Sequence, residues 1–246
     1  MHIFYILVLV LLTSCFCLEA IQDSSENRPV RPSQVYYHAA HKKKVPADAD
    51  GTRYMALTFD DGPHQVLTPR LLDILKEKNA KATFYVMGVK VGIHPDIVTR
   101  AAQEGHEIGN HVYDHPVLTK IKPQELDHQI SSTNAAIRAA TGSNPKTLRP
   151  PYGNSNKKVN AEISGKHQMD AVFWSFDTID WKFPSKEEIL QRSLKHIDNG
   201  AIVLAHDVHT NTIEAIPHLI DALQKAGFKL LTVSELLDKF HPYTQK

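Results

Sequence analysis

From Arg53 to the end of the chain, short apolar runs alternate with longer segments of helical periodicity. This alternation constrains the fold strongly, because strands that alternate with helices pair in parallel and form an α/β sheet covered by helices. The run 201–205 is apolar throughout, as expected of a strand buried on both faces. Strands are predicted at 54–59, 82–86, 107–110, 147–149, 171–174, 201–205 and 229–231.

This set of about seven parallel strands predicts an α/β fold, a distorted (β/α) barrel formed by a single domain, rather than a complete eightfold barrel. An open doubly wound sheet is the alternative. No glycine-rich nucleotide fingerprint follows the first strand, which argues against a dinucleotide-binding domain.

Residues at the helix ends support this division. Thr68 and Pro69 predict a helix start, with a capping hydroxyl followed by a proline in the first turn. The segment from Ser185 to Glu188 has the pattern of a capping box, and Gly142 predicts the end of the long helix 124–141.

The N-terminal part of the chain differs from the rest. Residues 3–12 form an apolar run that is shorter than a typical membrane span and fits the core of a signal peptide. We therefore expect a signal peptide or lipoprotein signal at 1–18, a flexible linker at 19–50 and one domain at 51–246. The segment 12–15 also resembles a lipobox, in which Cys15 would carry a lipid anchor, and an uncleaved membrane anchor is the other alternative.

Composition narrows the partners and the location. The formal net charge of +1 gives no bulk field for nucleic acid, so no nucleic-acid partner is expected. Both cysteines, Cys15 and Cys17, lie in the predicted signal, and the mature domain would rely on its core rather than on a disulfide. The expected location is secreted or associated with the cell envelope, with membrane attachment through the N-terminus only.

Reactive residues follow the predicted strands. In a parallel barrel, the carboxyl ends of the strands meet at one rim, where active sites are built. The segments that reach this rim are TFDDGP at 58–63, HVYDH at 111–115, RPPYG at 149–153, DTIDW at 177–181 and LAHD at 204–207. Acids, histidines, an arginine and a tyrosine that converge there indicate a metal-assisted hydrolase.

His111 and His115 are the first candidates for metal ligands. Their spacing would place both rings on one face of a helical turn, and Asp61 at a strand end is a natural third ligand. Two histidines and one carboxylate leave zinc an open position for water. The same set could hold Fe(II) in an oxygenase.

The remaining candidates surround that set. Taken alone, the Asp60–Asp61 segment is best explained as an ordinary turn after a strand. The other motifs favour a functional site, in which Asp61 binds the metal and Asp60 is the general base. Arg149, fixed between prolines, could orient a carboxylate, and the Tyr152 N–H is a candidate oxyanion donor. His206 at the end of a buried strand is either a core histidine or a catalytic acid.

These five motifs, in this order, resemble the polysaccharide deacetylase family of NodB-type carbohydrate esterases, which includes chitin deacetylases and peptidoglycan N-acetylglucosamine deacetylases. The resemblance covers about residues 53–240 and implies removal of N-acetyl groups from an acetylated amino-sugar polymer. It also implies one divalent metal bound by Asp61, His111 and His115. That metal is usually zinc, with Co²⁺ or other divalent ions as alternatives.

The resemblance also implies roles for the other positions. Asp60 would be the catalytic base and Arg149 its tether, while the Tyr152 amide would help to hold the oxyanion. His206 would be the catalytic acid. Three further residues complete the set: Asp180 to orient and charge that histidine, Trp181 to wall the groove, and Leu204 to line the pocket for the acetyl methyl. Val112 departs from the family pattern, which usually has Ser or Thr there.

Three alternative functions remain open from the sequence alone. A glycoside hydrolase would use paired carboxylates without a metal. An esterase for O-acetyl groups would use the same chemistry on another bond, and a carbohydrate-binding homologue would have no activity. The intact set of candidate residues argues against the last of these.

Overall fold

The computed structural model describes residues 35–36, 45–182 and 185–244. The predicted signal at 1–18 lies outside these residues, as do parts of the predicted linker at 19–34 and 37–44. Within the described residues the strands are β1 (Val35–Tyr36), β2 (Arg53–Asp60), β3 (Thr83–Val86), β4 (Glu107–Asn110), β5 (Thr147–Leu148), β6 (Asp170–Val172), β7 (Phe176–Asp177), β8 (Ala201–His206) and β9 (Phe228–Leu230).

Helices occupy most of the connections between the strands. The α-helices are α1 (Leu67–Glu77), α2 (Gly88–Ile93), α3 (Pro95–Gln103), α4 (Pro123–Thr141), α5 (Lys157–Ala161), α6 (Lys186–Leu194), α7 (Thr210–Lys225) and α8 (Val233–Thr244). Short 3₁₀ turns cover Leu118–Lys120 and Pro151–Gly153, and a π turn covers Glu162–Lys166. No helix of the described segments is both long and apolar enough to cross a membrane.

All strand pairings of the described sheet are parallel. The strand order is β1-β6-β5-β4-β3-β2-β8-β7, and β9 pairs with the start of β2. The sheet curls into a distorted barrel with helices around it, which confirms the predicted α/β fold. All seven expected strands are present, and β1 and β7, with two residues each, extend the sheet. Strand β1 lies within the range predicted as a linker, and so does the buried Val45.

The core has two main layers. The outer layer lies between the sheet and helices α1, α3 and α7, and contains Leu71, Leu72, Ile216 and Leu219. The interior is filled by large side chains such as Tyr85, which is fully buried. Gly109 allows this packing, because a Cβ there would lie 2.5 Å from the Tyr85 ring.

The predicted start of α1 is wrong in detail. Helix α1 begins at Leu67, so Thr68 lies inside the helix rather than at its cap. The N-cap position is Val66, which has no capping side chain; His64 Nδ1, two residues earlier, accepts hydrogen bonds from the amides of Val66 and Leu67 at 3.1 Å each. The Thr68 hydroxyl instead donates to Asp207 at 2.5 Å. The local pattern predicted Thr68 as the cap of α1, but its hydroxyl is engaged in this contact with a distant part of the chain.

The other two predictions for helix ends are confirmed. The Ser185 hydroxyl accepts the Glu188 amide at the start of α6. Gly142 ends α4 in the left-handed conformation, with φ at 78°, which glycine adopts without strain.

Candidate active site

The register of β2 and β8 brings two predicted residues together. Asp60, the last residue of β2, is paired with His206, the last residue of β8, and also with Tyr85 of β3. The ends of β4 and β5 lie on the same edge, since Asn110 pairs with Leu148. The five motifs therefore meet at one rim of the sheet, as the sequence predicts.

Two imidazole nitrogens face one carboxylate oxygen at this rim. His111 Nε2 lies 3.4 Å from Asp61 Oδ1, and His115 Nε2 lies 3.3 Å from the same oxygen. Asp61 Oδ1 is buried and has no hydrogen-bond partner among the described residues. Ligands about 2.0–2.2 Å from a tetrahedral zinc ion are themselves about 3.3 Å apart. The three side chains therefore fit a divalent metal with an unfilled position for water or substrate.

The protonation states of these residues favour ligation. Burial alone would raise the pKa of Asp61, but the adjacent His111 and His115 outweigh burial and hold that pKa well below its ordinary value. Burial and the neighbouring His111 lower the pKa of His115. An ionised carboxylate and a neutral imidazole are the forms that bind metals.

The segment that carries the two histidines is not the helical turn that the spacing suggested. Residues 111–115 form a loop after β4, and Val112 and His115 have φ angles of 59° and 67°. Side chains hold this loop: Asn110 Oδ1 accepts the Val112 amide, and Gln129 Oε1 accepts the next two amides. A positive φ is unfavourable for a β-branched residue. Val112 is nevertheless fully buried among apolar side chains of α4 and β5, and this packing offsets the strain.

A backbone carbonyl fixes the orientation of His111. Its Nδ1 lies 2.7 Å from the carbonyl oxygen of Arg149, which can only accept a hydrogen bond. The proton of the neutral ring is thus on Nδ1, and Nε2 presents its lone pair to Asp61. Such a contact to the far nitrogen is typical of metal-binding histidines.

Arg149 is buried at the centre of the site and is not a surface cation. Its Nη1 donates to Asp60 Oδ1 at 2.8 Å and to Thr58 Oγ1 at 2.6 Å. Its Nη2 donates to the carbonyl of Phe173 at 3.0 Å, and its guanidinium lies 4.2 Å from the centroid of the Tyr85 ring. One oxygen of Asp60 is therefore occupied and the other remains available.

Asp180 and His206 form a second buried pair. Asp180 Oδ1 lies 2.7 Å from His206 Nδ1, and Asp180 Oδ2 accepts the His206 amide at 2.8 Å and the Thr212 hydroxyl at 2.6 Å. Burial alone would lower the pKa of His206, but the hydrogen bond and the charge of Asp180 raise it to about 9. The contact with Asp180 thus favours the protonated form of His206.

Three further predicted residues, Tyr152, Trp181 and Leu204, lie in segments that reach the same rim. Tyr152 has a φ of 59° and is 67% exposed, and its ring packs against His115 with centroids 4.6 Å apart. Its amide N–H forms no hydrogen bond within the described part of the chain. Trp181 is exposed and directly follows Asp180. Leu204 is buried in β8, where it pairs with Thr58 of β2.

Sequence reasoning missed the support beneath the Asp61 loop. Asp207 is fully buried, and burial raises its pKa to about 7. A Cβ at Gly62 would lie 2.3 Å from Asp207 Oδ2, so only glycine fits there. Lys90 Nζ donates to the Asp61 carbonyl at 2.6 Å. The signal available in the sequence was the position of Asp207 directly after His206.

A second group of potential ligands lies elsewhere. Asp127, Glu162 and His167 are close enough to share an ion. The Lys166 ammonium, however, lies 2.8 Å from Asp127 and 3.3 Å from Glu162, so both carboxylates already have a cationic partner.

One rim of the parallel α/β barrel carries an Asp-His-His set that could hold a metal ion, a buried Asp–Arg pair and a buried Asp–His pair, an arrangement that fits a metal-assisted hydrolase. The sequence profile of the polysaccharide deacetylase family matches residues 47–172. The chain belongs to this family.

Three relatives illustrate the similarity. The chain is 40% identical over 213 residues to the peptidoglycan-N-acetylglucosamine deacetylase PgdA of Listeria monocytogenes, covering 87% of this chain but 44% of that protein. It is 37% identical to a chitooligosaccharide deacetylase of a Bradyrhizobium species, covering 77% of this chain and 93% of the relative. The solved structure of the peptidoglycan deacetylase PdaC from Bacillus subtilis superimposes with a TM-score of 0.74 at 35% identity, covering 78% of this chain and 93% of that one. The chain thus spans less than half the length of the Listeria protein.

Proposed function

We propose that the protein is a metal-dependent hydrolase that removes N-acetyl groups from polysaccharides containing N-acetylglucosamine, namely chitin or peptidoglycan. The observation that carries this proposal is Asp61 Oδ1, which is buried, has no hydrogen-bond partner among the described residues and is faced by two histidine nitrogens at 3.3 and 3.4 Å. The names of the Listeria and Bradyrhizobium relatives support the reaction and the two candidate polymers.

Asp61, His111 and His115 would hold the metal, for which zinc is the first candidate because zinc favours such nitrogen and carboxylate ligands. A bound divalent metal lowers the pKa of the attacking water and polarises the acetamide oxygen. The Tyr152 N–H, which has no partner in the described chain, would donate to the oxygen that becomes negative. One such donor is worth about 3 kcal/mol of transition-state stabilisation.

Asp60 would accept the proton of the attacking water. Arg149 holds Asp60 Oδ1, so Oδ2 is the oxygen left for this proton. Oδ2 also lies 3.7 Å from His111 Nε2, a distance that supports a base acting beside the proposed metal ligands.

His206 would give a proton to the sugar nitrogen as the C–N bond breaks. An amide needs this proton because an amine anion is a poor leaving group. Asp180 binds Nδ1, so the proton would leave from Nε2. Trp181 would wall the sugar groove, and Leu204 would contact the acetyl methyl.

The domain plan remains part of this proposal. Residues 1–18 would direct the chain out of the cytosol, residues 19–50 would link them to the catalytic domain at 51–246, and the protein would act in the cell envelope or outside the cell. The wall polymers named for the relatives support this location.

Acetate release from purified chitin, chito-oligosaccharides and peptidoglycan tests the function. We expect release from at least one of these polymers, loss of release after chelation, and recovery when Zn²⁺ is added back. Release that persists after complete removal of metal would contradict the proposal.

A further inference from the structure

A cavity of about 490 Å³ lies beside the Asp180–His206 pair. One side is formed by Asp180, Trp181 and Lys182, and the other by residues 208–211, which lead into α7. The cavity is therefore contiguous with the proposed proton donor, and a polymer bound at the rim would extend across it.

Lys182 supplies an unneutralised positive charge to this cavity. Its ammonium lies 4.5 Å from the centroid of the Trp181 ring, and the described residues offer it no carboxylate within ion-pair distance. The Trp181 ring fixes the direction of the Lys182 side chain through a cation–π contact.

Asp180, the acidic residue in the cavity wall, does not neutralise the charge of Lys182. Asp180 is buried, and its oxygens are already engaged by His206 and the Thr212 hydroxyl. His209, on the opposite wall, lies with its ring 5.8 Å from the His206 ring. Helix α7 begins at Thr210 with no acidic residue in its first turn and no side chain capping it, so its positive end is also uncompensated.

We propose that this cavity is a subsite for a carboxylate carried by the glycan, with Lys182 as its charged partner and Trp181 as its wall. The proposal rests on the proposed deacetylase function and selects among its substrates, since it favours an anionic wall glycan over neutral chitin. Two sources share this chemistry in peptidoglycan: the free lactyl group of a muramic acid residue, and the carboxylates of a peptide attached to it.

Three oligosaccharides of equal length separate these cases. The first contains N-acetylglucosamine only and is neutral. The second alternates it with muramic acid whose lactyl carboxylate is free, and the third carries peptides that convert this carboxylate to an amide. KM and kcat are measured on each for the wild type, for Lys182→Gln and for the control Lys229→Gln. Lys229 is exposed on β9, which pairs with the opposite end of β2, so the control removes the same charge far from the rim.

The subsite predicts that Lys182→Gln raises the ratio of KM on an anionic to KM on the neutral oligosaccharide by about tenfold, the usual loss for one charge-assisted contact. Added salt should raise the anionic KM of the wild type and leave that of Lys182→Gln nearly constant. The control should keep the wild-type ratio. If KM rises in Lys182→Gln only for the second oligosaccharide, the lactyl carboxylate is the ligand. If it rises only for the third, the ligand is a peptide carboxylate.

An equal rise of KM on all three oligosaccharides would show that Lys182 only supports Trp181, and would overturn the subsite. An unchanged ratio in Lys182→Gln would overturn it as well. Absence of acetate release from all three by the wild type would instead contradict the proposed function, which keeps the two failures distinguishable.

Discussion

The Arg149 guanidinium is completely buried and donates to Asp60 Oδ1 over 2.8 Å. Its other donors reach Thr58 and the carbonyl of Phe173, which belong to different segments of the barrel. The guanidinium therefore links several segments at the rim of the barrel. It also engages one carboxylate oxygen of Asp60, so that only the other is left to act as the proposed base. Fold stability and the orientation of the proposed base depend on the same side chain.

Replacement of Arg149 by Met tests this dual role. The change leaves the buried Asp60 carboxylate without its partner, and loss of one member of such a pair costs about 3–5 kcal/mol. The free energy of unfolding, measured by urea denaturation, should fall by this amount. Arg70→Met, on the exposed side of α1, is the matched control and should change it by less than about 0.5 kcal/mol.

A second substitution shows whether the loss comes from the unpaired charge. In Arg149→Met/Asp60→Asn the charge is gone, so the double variant should be more stable than Arg149→Met alone. A double variant that is less stable would show that the guanidinium acts through packing against Tyr85 rather than through the ion pair.

The pH dependence of amide cleavage tests the Asp180–His206 pair. The hydrogen bond and charge of Asp180 raise the pKa of His206 to about 9, so the acid should stay protonated and kcat/KM should decline only above that pH. Asp180→Asn removes the charge, and the alkaline decline should move by at least one unit towards the ordinary histidine pKa of about 6.5.

An activated aryl ester provides the control for this profile, because its leaving group needs no proton. Its cleavage should lack the alkaline decline in both proteins. If Asp180→Asn did not shift the alkaline decline of kcat/KM for amide cleavage, a group other than His206 would be the catalytic acid.

Most strands, and the clustering of the five motifs at one edge of the sheet, could be predicted from the sequence, because both depend on local sequence patterns. Alternating apolar runs located seven of the nine strands in the described part of the chain, and the parallel arrangement then placed their ends together. The loop 111–115 was predicted wrongly as a helical turn. Its backbone is held by side chains that the His111–His115 spacing does not reveal, those of the preceding Asn110 and of Gln129 in α4. Thr68 was misassigned for the same reason, because its partner Asp207 is 139 residues away.

The buried carboxyl group of Asp207 should make stability depend on pH. Burial raises its pKa to about 7, whereas in the unfolded chain it titrates at about 4. The folded state therefore retains a proton that the unfolded state releases, and the stability that this proton provides is present below about pH 4 and lost as the pH rises through about 7.

Asp207→Asn removes this dependence, because the amide stays neutral and its oxygen can still accept the Thr68 hydroxyl. The variant should match the wild type near pH 4 and exceed it at pH 8 by an amount on the order of 4 kcal/mol. Urea denaturation across this range measures the difference. A wild type that is the more stable of the two at pH 8 would mean that Asp207 is ionised in the folded protein.

The central claim is that Asp61, His111 and His115 hold a metal while Asp60 acts beside it without binding it. Metal content and acetate release, measured on the same preparations of wild type, Asp60→Asn and His111→Ala, test it most directly. His167→Ala, in the cluster already neutralised by Lys166, is the control and should keep both properties.

We predict that Asp60→Asn keeps about one metal ion per chain and loses about 100-fold or more in acetate release, because an amide cannot accept the proton of water. His111→Ala should lose the metal and the activity together. Full metal content with acetate release in His111→Ala, or loss of the metal in Asp60→Asn, would contradict this account of the site.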